Sequence, residues 1–190
     1  MTTKSFGAYT ETFFKEHQEH LQKTYPGLSV RRLKGELEQF STQNQLNNHE
    51  LFESLYVPSL HNPFTVFFER LKQGWPLEYI RGRAYFYRSE FTVTPDVLIP
   101  RSETEILVER ASNEVKNWIK KTDERIKVCD IGTGTGAIAI SLLQDCARPL
   151  DVTATDISRT ALKVARRNFF NLRYTIPRES SLHLLQTDRM

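Results

Sequence analysis

The stretch from Ile126 to Ile140, IKVCDIGTGTGAIAI, constrains the fold more than any other part of the chain. An apolar run of strand type reaches Asp130, glycines follow at alternate positions (Gly132, Gly134, Gly136), and Ala137-Ile138-Ala139-Ile140 opens a helical pattern. The reading is strand, tight turn, helix. Glycine suits such a turn because the backbone must adopt angles that a Cβ resists, and because a ligand must lie almost against it. The helix behind the turn aims amide donors and a positive dipole end at whatever binds.

A second apolar strand, Val152 to Thr155, ends in Asp156. A carboxylate there can accept hydrogen bonds from both hydroxyls of a ribose. Turn and acid together predict a bound adenosine, and the spacing leaves its kind open. Gly132, Gly134 and Ala137 satisfy the dinucleotide form G-x-G-x-x-G/A, in which the helix end meets a pyrophosphate. Asp130 with Gly132, Gly134 and Gly136 makes the D-x-G-x-G-x-G arrangement associated with S-adenosylmethionine, where Asp130 can answer an ammonium group. Asp130 favours the second.

Around this centre the chain reads as α/β. A helix from about Gly136 to Asp145, the strand to Asp156, a helix capped by Ser158 and bearing Ala161, Leu162, Ala165, Phe169 and Leu172, and a strand from Leu182 to Asp188 make half of a doubly wound parallel sheet. Residues 1–74 read as a helical bundle. Its first face is Phe6, Tyr9, Phe13, His17 and Leu21, its second Val30, Leu33, Leu37 and Phe40, and its third Leu51, Phe52, Leu55 and Tyr56, ended by Pro58. Asn62 caps a fourth helix with Pro63 at its first position and Gly74 at its stop. Residues 75–100, with Tyr85-Phe86-Tyr87 and Phe91-Thr92-Val93 about a turn, read as a β-hairpin linker, and residues 101–190 as the sheet domain. Ser102 and Glu105 form a capping box for a helix with Leu107, Ala111, Val115 and Trp118 on one side.

Composition removes other classes. With 26% charged residues among 190 and no apolar run of membrane-spanning length, the chain is neither disordered nor membrane-embedded. A polar N-terminus without the apolar core of a secretory signal predicts a cytoplasmic protein. Cys129 and Cys146 make no metal spacing and read as small core residues. A net charge of +3 is mild, and Arg166, Arg167 and Arg173 read as a solvated helix face, so no nucleic acid is expected.

The segment PLEYIRGRAYFYRSEFTVTPDVLIPRSETEILVE, followed by VCDIGTGTGAIAISLL, TATDISRTALKVARRN and HLLQTD, resembles the HemK-type protein-(glutamine N5) methyltransferases that act on peptide chain release factors. The resemblance runs from residue 76 to 188. It implies an S-adenosylmethionine cofactor, a release factor as partner, and a cofactor loop of Gly132, Thr133, Gly134, Thr135 and Gly136. It further implies that Asp156 holds the ribose, that Asp188 lies beside the adenine, and that Arg101, Glu103, Thr104 and Glu105 form a segment near the active site. Ser102 stands where the family has proline. The family's catalytic Asn-Pro-Pro-Tyr, which follows a fourth strand, is expected beyond Met190. The chain is therefore expected to be truncated at its C-terminus, to keep the donor site without the acceptor clamp, and to leave the strand at residues 126–131 with an open, apolar edge.

Overall fold

The structure, a computed structural model, describes residues 6–46 and 62–188. It divides into two units at Arg81 and Gly82. The first holds α1 (Phe6–Glu16), α2 (Gln18–Thr24), α3 (Val30–Gln43), α4 (Pro63–Lys72) and the short α5 (Leu77–Arg81). The helix expected to carry the first face, Phe6 to Leu21, breaks at His17, whose Nδ1 lies 3.0 Å from the Phe13 carbonyl and whose ring stacks on that of Phe13. Phe13 and Leu21 stay buried on either side of the break, joining Leu33, Leu37, Phe40, Phe64, Phe67, Phe68 and Leu71 in one core. Asn62 caps α4 as expected, its Oδ1 accepting from the Phe64 amide at 2.9 Å, and Gly74 ends the run at φ +78°. The Tyr25 hydroxyl donates toward the carbonyls of Leu71 and Trp75, and burial pushes its pKa up to about 12. The expected third face, Leu51 to Pro58, lies outside the described residues.

The second unit opens with a hairpin of β1 (Arg83–Phe86) and β2 (Ser89–Thr92), closed by a two-residue turn with Tyr87 at φ +55°. Ala84, Phe86, Ser89 and Phe91 alternate inward, and Phe86 and Phe91 enter the same core as Val108, Leu143 and Val152. The hairpin thus belongs to this unit's core. A 3-10 turn (Ser102–Thr104) leads into α6 (Glu105–Ile119), and β3 (Lys127–Ile131), α7 (Ala137–Asp145), β4 (Asp151–Asp156), α8 (Arg159–Leu172) and β5 (Ser181–Gln186) alternate after it. The three strands pair in parallel in the order β3-β4-β5. This is the Rossmann-like half-sheet that the sequence predicts.

Cys129 shares with Lys127 and Ile131 a face of β3 that is exposed, so it is not in the core as expected, whereas Cys146 is buried. The capping box also gives way. Thr104, not Ser102, precedes α6, and no side chain caps it. Glu105 instead turns back so that its Oε1 accepts from the Tyr87 amide at 3.0 Å, filling a donor that the left-handed residue leaves unpaired. The buried face of α6 is Val108, Ser112 and Val115, while Leu107 and Trp118 are exposed.

A serine occupies that face because Asp145 needs it. The Asp145 carboxylate takes a hydrogen bond from the Ser112 hydroxyl, Lys116 Nζ at 2.6 Å and Arg88 Nη1 at 2.7 Å, tying α6, the hairpin turn and the end of α7 together. Burial pushes its pKa up, but the hydrogen bonds of Lys116 and Ser112 and the charges of Lys116 and Arg88 outweigh this and hold it below 3.8. A lowered folded-state pKa contributes stability above the unfolded value that is lost as pH falls through the folded one. In urea unfolding against pH, Asp145→Asn should cost about 2 kcal/mol at neutral pH, since both cations are partly solvated. The difference should shrink below pH 4; a constant difference would reject the ionic account.

Candidate functional site

The turn after β3 is built almost wholly from its own hydrogen bonds. The amides of Gly132 and Thr133 both donate to the Thr155 carbonyl, at 2.9 and 2.8 Å, and the Gly136 amide donates to the Thr133 carbonyl at 2.8 Å. The Gly134 amide donates to Asp156 Oδ2 at 2.8 Å, and the Ala137 amide to Thr135 Oγ1 at 3.3 Å. Asp156 also accepts from the Ser158 amide through Oδ1, at 2.9 Å. Each of its oxygens keeps a further lone pair. The acid at the end of β4 is therefore aimed at the glycine turn and braced there.

Asp130 lies beneath the turn, 8% exposed. Its carboxylate accepts the Thr133 hydroxyl at 2.6 Å and the amide of Ala139, so it caps α7 where Gly136 has no side chain to offer. Burial raises its pKa, the two hydrogen bonds oppose the rise, and the charge of Asp156 adds to it. Two carboxylates that feel one another thus flank the turn. Their field favours a cation and disfavours a phosphate.

The glycines divide their work. A Cβ on Gly132 (φ +76°) or Gly134 (φ +54°) would meet nothing within 4 Å. One on Gly136 (φ +79°) would stand 3.1 Å from Ile140 Cδ1 and 3.2 Å from Ala165 Cβ. The first two leave open space over the turn for a ligand, and the third lets α8 pack against α7.

Against known proteins, a methyltransferase-domain family profile matches residues 128–188. The chain is 43% identical over 100 residues to the release factor glutamine methyltransferase of Bacillus subtilis, a match covering 53% of this chain and 34% of that one. It is 40% identical over 114 residues to the enzyme of that name from Coxiella burnetii, covering 58% and 38%. With that of Chlorobaculum tepidum it shares 45% over 100 residues, covering 53% and 33%. The second unit is similar over this stretch to these methyltransferases. The chain spans about a third of the length of the curated relatives it matches.

Within the second unit, β5 brings its end to Asp156. The Thr187 amide donates to the Asp156 carbonyl at 3.2 Å, and Asp188 follows two residues after Gln186, the register partner of the braced acid. Arg101, Glu103 and Thr104 form the entry to α6, and Glu105 ties that entry to the hairpin. No hydrogen bond among the described residues joins this segment to the glycine turn. Two residues escape the sequence reading. Ile157 is 68% exposed directly after Asp156, an apolar surface at the strand end. Asn168, 1% exposed, accepts the Thr92 amide at 2.7 Å and donates to the carbonyls of Thr92 and Thr135, at 3.0 and 2.9 Å, joining hairpin, α8 and turn. Its signal was present: a polar residue three after Ala165 and four before Leu172, on the buried stripe of an amphipathic helix. Among the described residues no group of side chains could hold a metal ion, and no helix is long and apolar enough to cross a membrane.

Proposed function

We propose that this domain binds S-adenosylmethionine, and that the protein it belongs to is cytoplasmic and methylates the side-chain amide N5 of a glutamine in a peptide chain release factor. One observation carries the cofactor reading. The amides of Gly132, Thr133, Gly134, Gly136 and Ala137 are spent on the protein itself while two carboxylates border the turn. A pyrophosphate needs several free amide donors and a positive field, whereas here five amides are engaged and the bordering charges are negative. A ligand bearing an ammonium and a sulfonium needs the reverse. The substrate reading rests on the relatives' shared name and on the resemblance of residues 76–188.

In this proposal Gly132, Thr133, Gly134, Thr135 and Gly136 form a floor on which the methionine part lies, with Asp130 as the charge beneath its ammonium. Asp156 accepts from the ribose hydroxyls through the lone pairs that Gly134 and Ser158 leave, Ile157 offers its side chain to the purine face, and Asp188 borders the adenine. Arg101, Glu103, Thr104 and Glu105 form a segment beside the substrate. The bound donor supplies an electrophilic methyl carbon. An amide nitrogen is a poor nucleophile because its lone pair is delocalised, so the work left to the protein is to hold it in line.

Calorimetric titration tests the cofactor. S-adenosylhomocysteine should bind with micromolar affinity, about −8 kcal/mol, and NADH should not bind. Asp156→Ala should weaken S-adenosylhomocysteine at least about tenfold, because hydrogen bonds to a charged acceptor are lost. Micromolar NADH binding would make the chain a dinucleotide protein instead.

A further inference from the structure

The outward face of α8 is given to solvent by its sequence, yet the structure makes it unlike a solvated face. Lys163 lies three and four residues before the adjacent Arg166 and Arg167, and these lie four and three before Phe170; all four are exposed on α8, opposite the buried Ala161, Ala165, Asn168 and Leu172, and Tyr174 is exposed in the 3-10 turn (Arg173–Thr175) that follows. Phe170 is 81% exposed and Tyr174 84%. None of the three cations is paired with a carboxylate among the described residues, and α8 contains no acidic residue. Arg173, grouped with them in the sequence, is elsewhere engaged: its guanidinium donates to the carbonyls of Ile176, Pro177, Arg178 and Ser180. Arg159 likewise bonds Gln186 Oε1.

Helix surfaces that serve only solubility mix the signs of their charges, because like charges three and four residues apart repel. Here the repulsion stands uncompensated, and two aromatic rings stand in water beside it. Positive charge in line with exposed aromatic faces is what single-stranded nucleic acid requires. The cations take phosphates, and the rings take bases by stacking. From Lys163 to Phe170 the stripe is roughly 10 Å long, the run of about three phosphates of one strand. An acidic polypeptide would use the charges and leave the rings without partners.

We propose that this face of α8 binds single-stranded RNA. The choice of RNA over DNA rests on the proposed function, since a protein that modifies a translation factor works beside RNA; the surface itself does not. In fluorescence anisotropy, the 190-residue chain should bind a labelled 12-nucleotide oligouridylate at low salt. The logarithm of affinity should fall with the logarithm of salt with a slope near −2, about −0.7 for each of three phosphate contacts. The triple variant Lys163→Gln, Arg166→Gln, Arg167→Gln should flatten that slope toward zero. The double variant Phe170→Ala, Tyr174→Ala should keep the slope and weaken binding about tenfold or more. All five side chains lie outside the core, so both variants should keep the wild-type melting curve and S-adenosylhomocysteine binding, which separates failure here from failure of the cofactor reading. No binding, an unaltered affinity in the aromatic variant, or equal affinity for polyglutamate of matched charge would overturn the surface. Equal affinity for oligodeoxythymidylate would overturn its assignment to RNA.

Discussion

Replacing Gly136 by alanine should destabilise the second unit by about 3 kcal/mol, whereas the same change at Gly132 should cost about 1 kcal/mol and abolish the proposed cofactor binding instead. Both residues lie in the left-handed region, at φ +79° and +76°, so each variant carries the backbone penalty of about 1–2 kcal/mol. Only at Gly136 does the added Cβ also collide. Ile140 Cδ1, at 3.1 Å, is the end of a flexible side chain and can swing away, but Ala165 Cβ and Cα, at 3.2 and 3.4 Å, cannot move without shifting α8. Overpacking of this kind adds about 1–3 kcal/mol. The variants should therefore separate on two axes. Gly136→Ala should melt about 10 °C or more below the parent chain. Gly132→Ala should melt close to it and show no heat on titration with S-adenosylhomocysteine, since its Cβ enters the open space over the turn. Equal destabilisation at both positions would mean that the close approach of α8 is not what Gly136 provides.

That contrast also marks how far the sequence could be read. Three glycines at alternate positions announce a turn, because few other residues tolerate its angles, but the letters do not say which glycine faces a ligand and which faces a helix. The distinction depends on Ala165, nearly thirty residues away. The helix caps at Asn62 and Ser158 were legible because an N-cap is a local event, decided within three residues. The capping box at Ser102 and Glu105 had an equally good local signature and did not form, because Glu105 had a better use at the hairpin turn, a long-range partner that no local pattern encodes. The buried face of α6 was misjudged by one residue for a related reason: Ser112 sits inward to reach Asp145, and a polar residue in a core position makes the neighbouring stripe through Leu107 and Trp118 look more apolar than the true one. Cys129 was placed in the core because a parallel strand is ordinarily covered on both faces, whereas the face of β3 that carries Lys127, Cys129 and Ile131 is exposed.

Asn168→Ala should destabilise the domain by about 3–5 kcal/mol, more than a cap or a surface pair contributes. The substitution removes little volume but strands three backbone groups at once: the Thr92 amide, the Thr92 carbonyl and the Thr135 carbonyl. An unsatisfied buried polar group costs about 1–3 kcal/mol, and partial entry of water brings the sum below the maximum. Asn168→Asp distinguishes this account from one of packing. Aspartate is nearly isosteric, and one carboxylate oxygen can still accept from the Thr92 amide, but the other would face two carbonyl oxygens with no proton to share. The new carboxyl would thus have a folded-state pKa above its unfolded value. Such a group binds more protons folded than unfolded, so the variant's stability should rise as pH falls through the folded value toward the unfolded one, opposite to the acid loss at Asp145. Urea midpoints measured from neutral to acidic pH would show the two trends side by side. If Asn168→Asp were as stable as the parent at neutral pH, Asn168 would be only a filler of space, and the Thr135 carbonyl would have to be held by something else. Thr135 belongs to the turn proposed to hold the cofactor, so the folded fraction of either variant should also bind S-adenosylhomocysteine more weakly. That loss would identify Asn168 as a positioning residue, one that acts on the ligand through the turn and never touches it.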